Sequence, residues 1–127
     1  MRSIKTTLFF LFLTLPFFLA AQDYVGSWTM PGMLEDGTKI TNTVTMKADG
    51  TMTVDFGSDG AVDVHMTYTV TDGVISMTDH NKESPCHGTV GKYRIAVSGD
   101  TMTATLVDDP CDARRGDGSK MVMTRKR

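Results

Sequence analysis

Apolar and polar residues alternate one by one along most of this chain. Val44, Met46 and Ala48 alternate with Thr43, Thr45 and Lys47, and Met52, Val54 and Phe56 with Thr51, Thr53 and Asp55. The longest run sets Val62, Val64, Met66, Tyr68 and Val70 against Asp63, His65, Thr67, Thr69 and Thr71. Tyr93, Ile95 and Val97, then Met102, Ala104 and Leu106, repeat the pattern, and Met121 and Met123 close it. A period of two places each apolar set on one face of a strand, and no stretch carries the spacing of an amphipathic helix. Asp49-Gly50, Asp59-Gly60, Asp72-Gly73, Gly99-Asp100 and Asp117-Gly118 stand between the runs and supply the positive φ of tight turns. The pattern predicts eight strands, at about 24–30, 38–48, 51–57, 61–71, 74–79, 90–98, 101–108 and 119–126. Short strands joined mostly by hairpins predict an all-β fold, an eight-stranded antiparallel up-and-down barrel whose closure removes exposed edges. Only the connection 79–89 is long and irregular.

Residues 1–21 break this pattern. Arg2 and Lys5 precede an apolar run from Leu8 to Leu19, and Ala20 and Ala21 follow. These are the three parts of a secretory signal peptide, with cleavage expected after Ala21 or, alternatively, Ala20. The run is too short to span ~30 Å of hydrocarbon comfortably, and no cysteine follows it to carry a lipid. The domain is therefore expected over 22–127, exported to the periplasm or beyond, as a monomer without an integral membrane segment.

Removing the leader changes the composition. It holds five of the six Phe and five of the seven Leu, leaving one Phe, one Trp, two Leu and nine Met to fill an interior. Sixteen Thr support strands. Eleven basic and fifteen acidic side chains give a charge of −4 without a basic stripe, which argues against nucleic acid as a partner. A length near 100 leaves room for one core.

Gly26-Ser27-Trp28 opens the first strand. Later in the chain come Asp49-Gly50-Thr51-Met52, Cys86, Gly91-Lys92-Tyr93, Gly99-Asp100-Thr101-Met102-Thr103, Asp109-Pro110-Cys111-Asp112-Ala113-Arg114, and Met123-Thr124-Arg125. This ordered set, over about residues 24–126, resembles the small secreted bacterial lipocalin-like domains, relatives of the calycins. Members often carry Trp near the final strand, where this chain has Met121–Met123. The resemblance implies a lipocalin-like barrel with Trp28 plugging one end and Arg125 packed over it, and an Arg at position 114. Without it, Trp28 is an ordinary buried aromatic and Arg125 a solvated charge.

Two cysteines in an exported chain, Cys86 and Cys111, read as one disulfide. The alternative, a metal site of Cys86, His87, Cys111 and His80, lacks the short Cys spacing of zinc sites. Met46, Met52, Met66, Met77, Met102, Met121 and Met123 fall where inward residues belong, so they read as core filling and not as metal or haem ligands. Asp55, Asp59 and Asp63, and Asp108, Asp109, Asp112 and Asp117 in a second loop, offer oxygens for a weak Ca²⁺ site, but neither group matches an EF-hand and both read first as polar turns. Arg115-Gly116-Asp117 spells an adhesion tripeptide but sits at a turn glycine. Arg114 either binds an anionic head group at the barrel mouth or pairs with Asp108 or Asp109.

No Ser-His-Asp order or inward carboxylate pair appears, so an enzyme is not expected, nor a cofactor or metal. The leading expectation is non-catalytic binding of a small apolar or amphipathic molecule inside the barrel. Trp28, Met46, Phe56, Met66, Tyr68, Tyr93, Met102 and Arg114 are the candidate ligand contacts. The alternatives are a protein-binding module, such as a periplasmic protease inhibitor, or a filled barrel with a structural role.

Overall fold

A computed structural model describes residues 23–116 and 118–127. The expected leader, together with Gln22 and Asp117, lies outside the described residues. Eight strands form in chain order: β1 Gly26–Met33, β2 Lys39–Met46, β3 Thr51–Asp55, β4 Val64–Thr71, β5 Val74–Asp79, β6 Val90–Ser98, β7 Thr101–Asp108 and β8 Lys120–Arg125. Each pairs antiparallel with the next, and β8 returns to β1 to close a barrel. No helix among the described residues is long and apolar enough to cross a membrane.

The alternation determines what faces in. Met52, Met66, Tyr68, Ile75, Met77, Tyr93, Met102, Ala104 and Met123 are buried, while Thr67, Thr69, Thr101 and Thr105 between them are exposed. β1 pairs with β8 only at Trp28 and Thr29, so its upper half rises beyond β8 as a two-stranded ribbon with β2. The Ser27 carbonyl accepts from the Lys126 amide, so odd-numbered residues of β1 face β8. Pro31 is odd-numbered and lies past the end of that pairing, where its missing N–H costs no ladder bond.

Three departures from the pattern shape the upper end. First, β3 stops at Asp55 and Phe56 opens a 3₁₀ turn, Phe56–Ser58. Gly57 (φ 76°) and Ser58 (φ 54°) carry the chain into the left-handed region, and the Asp55 carboxylate accepts from the Asp59 and Gly60 amides. Phe56 and Val62, expected inward, are therefore exposed. Second, β6 and β7 slip register between Lys92 and Tyr93, which pair with Asp108 and Leu106. Val107 is the extra residue of this bulge. Alternation past Leu106 would have turned Asp108 inward; the bulge turns Asp108 out and Asp109 in. Third, a one-turn helix, α1 Asp112–Arg115, follows Cys111.

At the other end Trp28 and Arg125 lie together. Trp28 is fully buried, and its Nε1–H donates to the Tyr24 carbonyl at 2.9 Å. The Arg125 guanidinium lies over the indole at 4.3 Å, and its Nη2 donates to the Asp23 carbonyl at 2.8 Å. Gly26 makes this possible: a Cβ there would stand 3.2 Å from Arg125 Nη1. Tyr68 completes the floor, packed edge-on to Tyr24 with its hydroxyl donating to the Lys47 carbonyl. Arg125→Ala is expected to cost about 1–2 kcal/mol, from lost cation–π stacking and lost hydrogen bonds to carbonyls. Because Trp28 is the single tryptophan, its emission should shift to the red in this variant. Unchanged emission and stability would mean that the arginine is ornamental.

Candidate functional site

The four connections at the upper end are the longer ones: the β1–β2 hairpin tip, residues 56–63, residues 80–89 and residues 109–119. They surround the mouth of a cavity of about 900 Å³. Its wall runs from exposed rim side chains, Met33, Leu34 and Phe56, down to Met46, Ile75 and Met102, each at most 2% exposed. All nine methionines of residues 23–127 line it. The space is widest at the mouth and narrows onto inner side chains that solvent hardly reaches, and its volume falls within the 300–1,000 Å³ of small-molecule sites.

The candidate contacts separate on this geometry. Met46, Met66 and Met102 form the inner wall, and Arg114 belongs to the wall near the mouth. Phe56 lies at the rim because of the 3₁₀ turn, not deep in the barrel. Trp28, Tyr68 and Tyr93 are buried in the core but are not part of the cavity wall. Trp28 and Tyr68 belong to the floor, and the Tyr93 hydroxyl is taken up by Asp109.

Asp109 is the centre of a buried polar cluster. Its carboxylate accepts from Arg114 twice, Nε to Oδ2 at 2.7 Å and Nη2 to Oδ1 at 2.8 Å. The Tyr93 hydroxyl donates to Oδ2 at 2.5 Å and the Cys111 amide to Oδ1 at 3.0 Å. Arg114 Nη2 also donates to the Thr89 carbonyl at 3.0 Å. The side chains are 8% exposed for Arg114 and 0% for Asp109. Of the two partners left open by the sequence, the structure selects Asp109, because the bulge turned it inward. Gly91 provides the space: a Cβ there would sit 2.6 Å from Asp109 Oδ2 and 2.8 Å from Arg114 Nη2. Gly91-x-Tyr93 at the mouth thus matches Gly26-x-Trp28 at the floor, each glycine making room for an arginine.

Burial pushes the Asp109 carboxyl up, but hydrogen bonds from Arg114 and Tyr93 outweigh it and hold it below the usual range. Burial and then the bond to Asp109 raise the Tyr93 phenol. The depressed Asp109 stabilises the fold above its unfolded value near 3.9, and that contribution is lost as pH falls below it. The raised Tyr93 stabilises the fold below about pH 10, and that contribution is lost as pH climbs further. Urea midpoints are therefore expected to decline on both sides, and Tyr93→Phe should shrink the alkaline decline. An alkaline limb identical in this variant would remove Tyr93 from the account.

Cys86 and Cys111 are joined in a disulfide that ties the 80–89 loop to the segment leading into α1. This consumes both thiols of the alternative metal site. The three histidines are exposed, and none lines the cavity. His80 exchanges a hydrogen bond with Thr67 on the outer face. Asp55, Asp59 and Asp63 do approach one another within 4.8 Å, but their oxygens accept from the amides of Phe56, Asp59, Gly60 and Ala61. They hold the turn together, as polar turn residues do.

Two buried polar residues of the wall, Asp79 and Asn42, are not among the sequence-derived candidates. Asp79 is 2% exposed, accepting from Ser84 Oγ at 2.5 Å and the Asn81 amide at 2.8 Å. Asn42 is 6% exposed, accepts from the Gly57 amide at 3.1 Å, and fills space left by Gly32. Parity carried the signal for both: Asp79 shares a face with Ile75 and Met77, and Asn42 with Val44 and Met46. The chain matches no known protein-family model and no curated protein.

Proposed function

We propose that this chain is an exported, non-catalytic binding protein of lipocalin-like type. It takes a small apolar or amphipathic molecule through the open end into the barrel. The observation that carries this reading is the convergence of all nine methionines on one cavity. Unbranched thioether side chains adapt to irregular apolar shapes, so such a wall accommodates a guest without a rigid template. The floor built by Trp28 and Arg125 supports entry from the opposite end only. The leader-like residues 1–21 and the disulfide support export. The three histidines are exposed and none lines the cavity, which supports a role without catalysis. Closure of the sheet, which leaves few free strand edges, supports a monomer.

The test is native mass spectrometry of protein purified from its own host, with titration of N-phenyl-1-naphthylamine into the stripped protein. The expected results are a co-purifying small mass and saturable one-to-one enhancement of dye fluorescence. A bare mass together with no dye binding would overturn the reading. The exposed apolar rim of Met33, Leu34 and Phe56 favours a second reading, a protein-binding module. Under that reading, Leu34→Asp abolishes partner capture while dye binding persists.

A further inference from the structure

Arg114 is held on one edge only. Nε and Nη2 face Asp109 and Thr89, whereas Nη1, on the opposite corner of the guanidinium, has no hydrogen-bond partner and is shut off from water. It is the only such side-chain atom among the described residues. Leaving a buried charged donor unpaired is costly, so native folds rarely tolerate it without a use. Arg114 also belongs to the cavity wall. A cavity with a mostly apolar lining thus has beside it one buried donor without an acceptor.

The charges decide what kind of acceptor. Asp109 already neutralises Arg114 through two bonds, and Arg115, also in the wall, is paired with Asp112. The remaining charged wall residues are Glu35, Asp63, Asp79 and Glu83, all acidic. Asp79 among them is buried. An anionic head group would add like charge to this wall. An uncharged acceptor oxygen would not.

Building on the binding reading above, we propose that the guest is an uncharged amphiphile whose polar end is a carbonyl-type oxygen. This oxygen accepts from Arg114 Nη1 while the apolar part lies among the methionines. Nη1 is closed off from solvent, so the guest displaces a side chain of the wall to reach it. Asp109 is then a positioning residue: it fixes the guanidinium edge and leaves Nη1 as the free corner.

The probes are 2-octanone, octane and octanoic acid at neutral pH, each measured by displacement of N-phenyl-1-naphthylamine from the wild type and from Arg114→Lys. Lysine keeps a charge for Asp109 but lacks the second nitrogen fork. The variant is expected to weaken 2-octanone about tenfold and leave octane unchanged, the size of one charge-assisted hydrogen bond. Octanoate is expected to bind more weakly than 2-octanone. A second measurement needs no variant: the infrared carbonyl stretch of 2-octanone bound to wild type should fall below its position in hydrocarbon solution. A stretch unchanged from hydrocarbon, equal weakening of ketone and alkane, or octanoate binding more tightly than the ketone would each overturn the proposal while the cavity reading stands. Failure of the dye and all three probes to bind would instead overturn the cavity reading itself.

Discussion

Gly91→Ala is expected to destabilise the protein by about 3–5 kcal/mol, the scale of breaking a buried ion pair. The backbone is not the reason, since Gly91 has no positive φ. The added methyl would stand 2.6 Å from Asp109 Oδ2, 2.8 Å from Arg114 Nη2 and 2.9 Å from Arg114 Nε. None of these atoms has slack. Oδ2 is held by both Tyr93 and Arg114, and Nη2 by both Asp109 and Thr89. Nor does β6 yield easily, because Gly91 is paired with Met77 in β5. The pair must separate, and each buried charge then loses its opposite charge, keeping at most the neutral partners Tyr93, Cys111 and Thr89. Gly57→Ala is the control: its Cβ meets nothing, but φ is 76°, so only the left-handed backbone penalty of about 1–2 kcal/mol applies. Urea unfolding of both variants checks the claim. If Gly91→Ala costs no more than Gly57→Ala, the glycine is not there for the ion pair. Apolar replacement of both Asp109 and Arg114 should relieve much of the Gly91→Ala penalty, because the three residues share one space.

This cluster also marks how far the sequence could be read. Alternation and turn dipeptides located all eight strands, because a half-buried strand writes its inner face into the chain at every second residue. The floor was legible too, since Gly26, Trp28 and Arg125 share parity with their neighbours. Phe56 failed for a local reason: Ser58, not a glycine, adopts φ 54°, and no period-two pattern announces such a residue. The choice between Asp108 and Asp109 stayed open in the sequence for a different one. A single bulge residue, Val107, inverts the parity of everything after it, and its position depends on the partner strand rather than on β7 itself. Asp79 and Asn42 share inward parity with their neighbours, but a count of apolar positions passes over polar residues on an inner face. Whether the barrel was filled or hollow depends on side-chain volumes set against the width of the closed sheet, which no one-dimensional pattern contains.

Loss of the disulfide is expected to cost about 3–4 kcal/mol, nearly as much as Gly91→Ala but by another route. Cys86–Cys111 closes a span of 25 residues containing β6 and β7. Chain-entropy arithmetic for a loop of that size gives roughly 3.5 kcal/mol at 25 °C. The effect should not be uniform over the barrel. β1, β2 and β3 lie outside the closed span and pair with one another without it. At the mouth the bond does more, because Cys111 directly precedes α1, which carries Arg114, and the Cys111 amide donates to Asp109. Cutting the bond frees residues 80–89 and 109–116 together. In a Cys86→Ser, Cys111→Ser variant, amide exchange should therefore accelerate in these two segments more than in β2 and β3, beyond the global loss read from urea midpoints. The arginine that edges the cavity would lose its fixed geometry at the same time, so dye affinity should fall even under conditions where the double variant remains folded. A uniform rise in exchange with unchanged dye affinity would show that the disulfide only restrains the unfolded chain and does not hold the mouth.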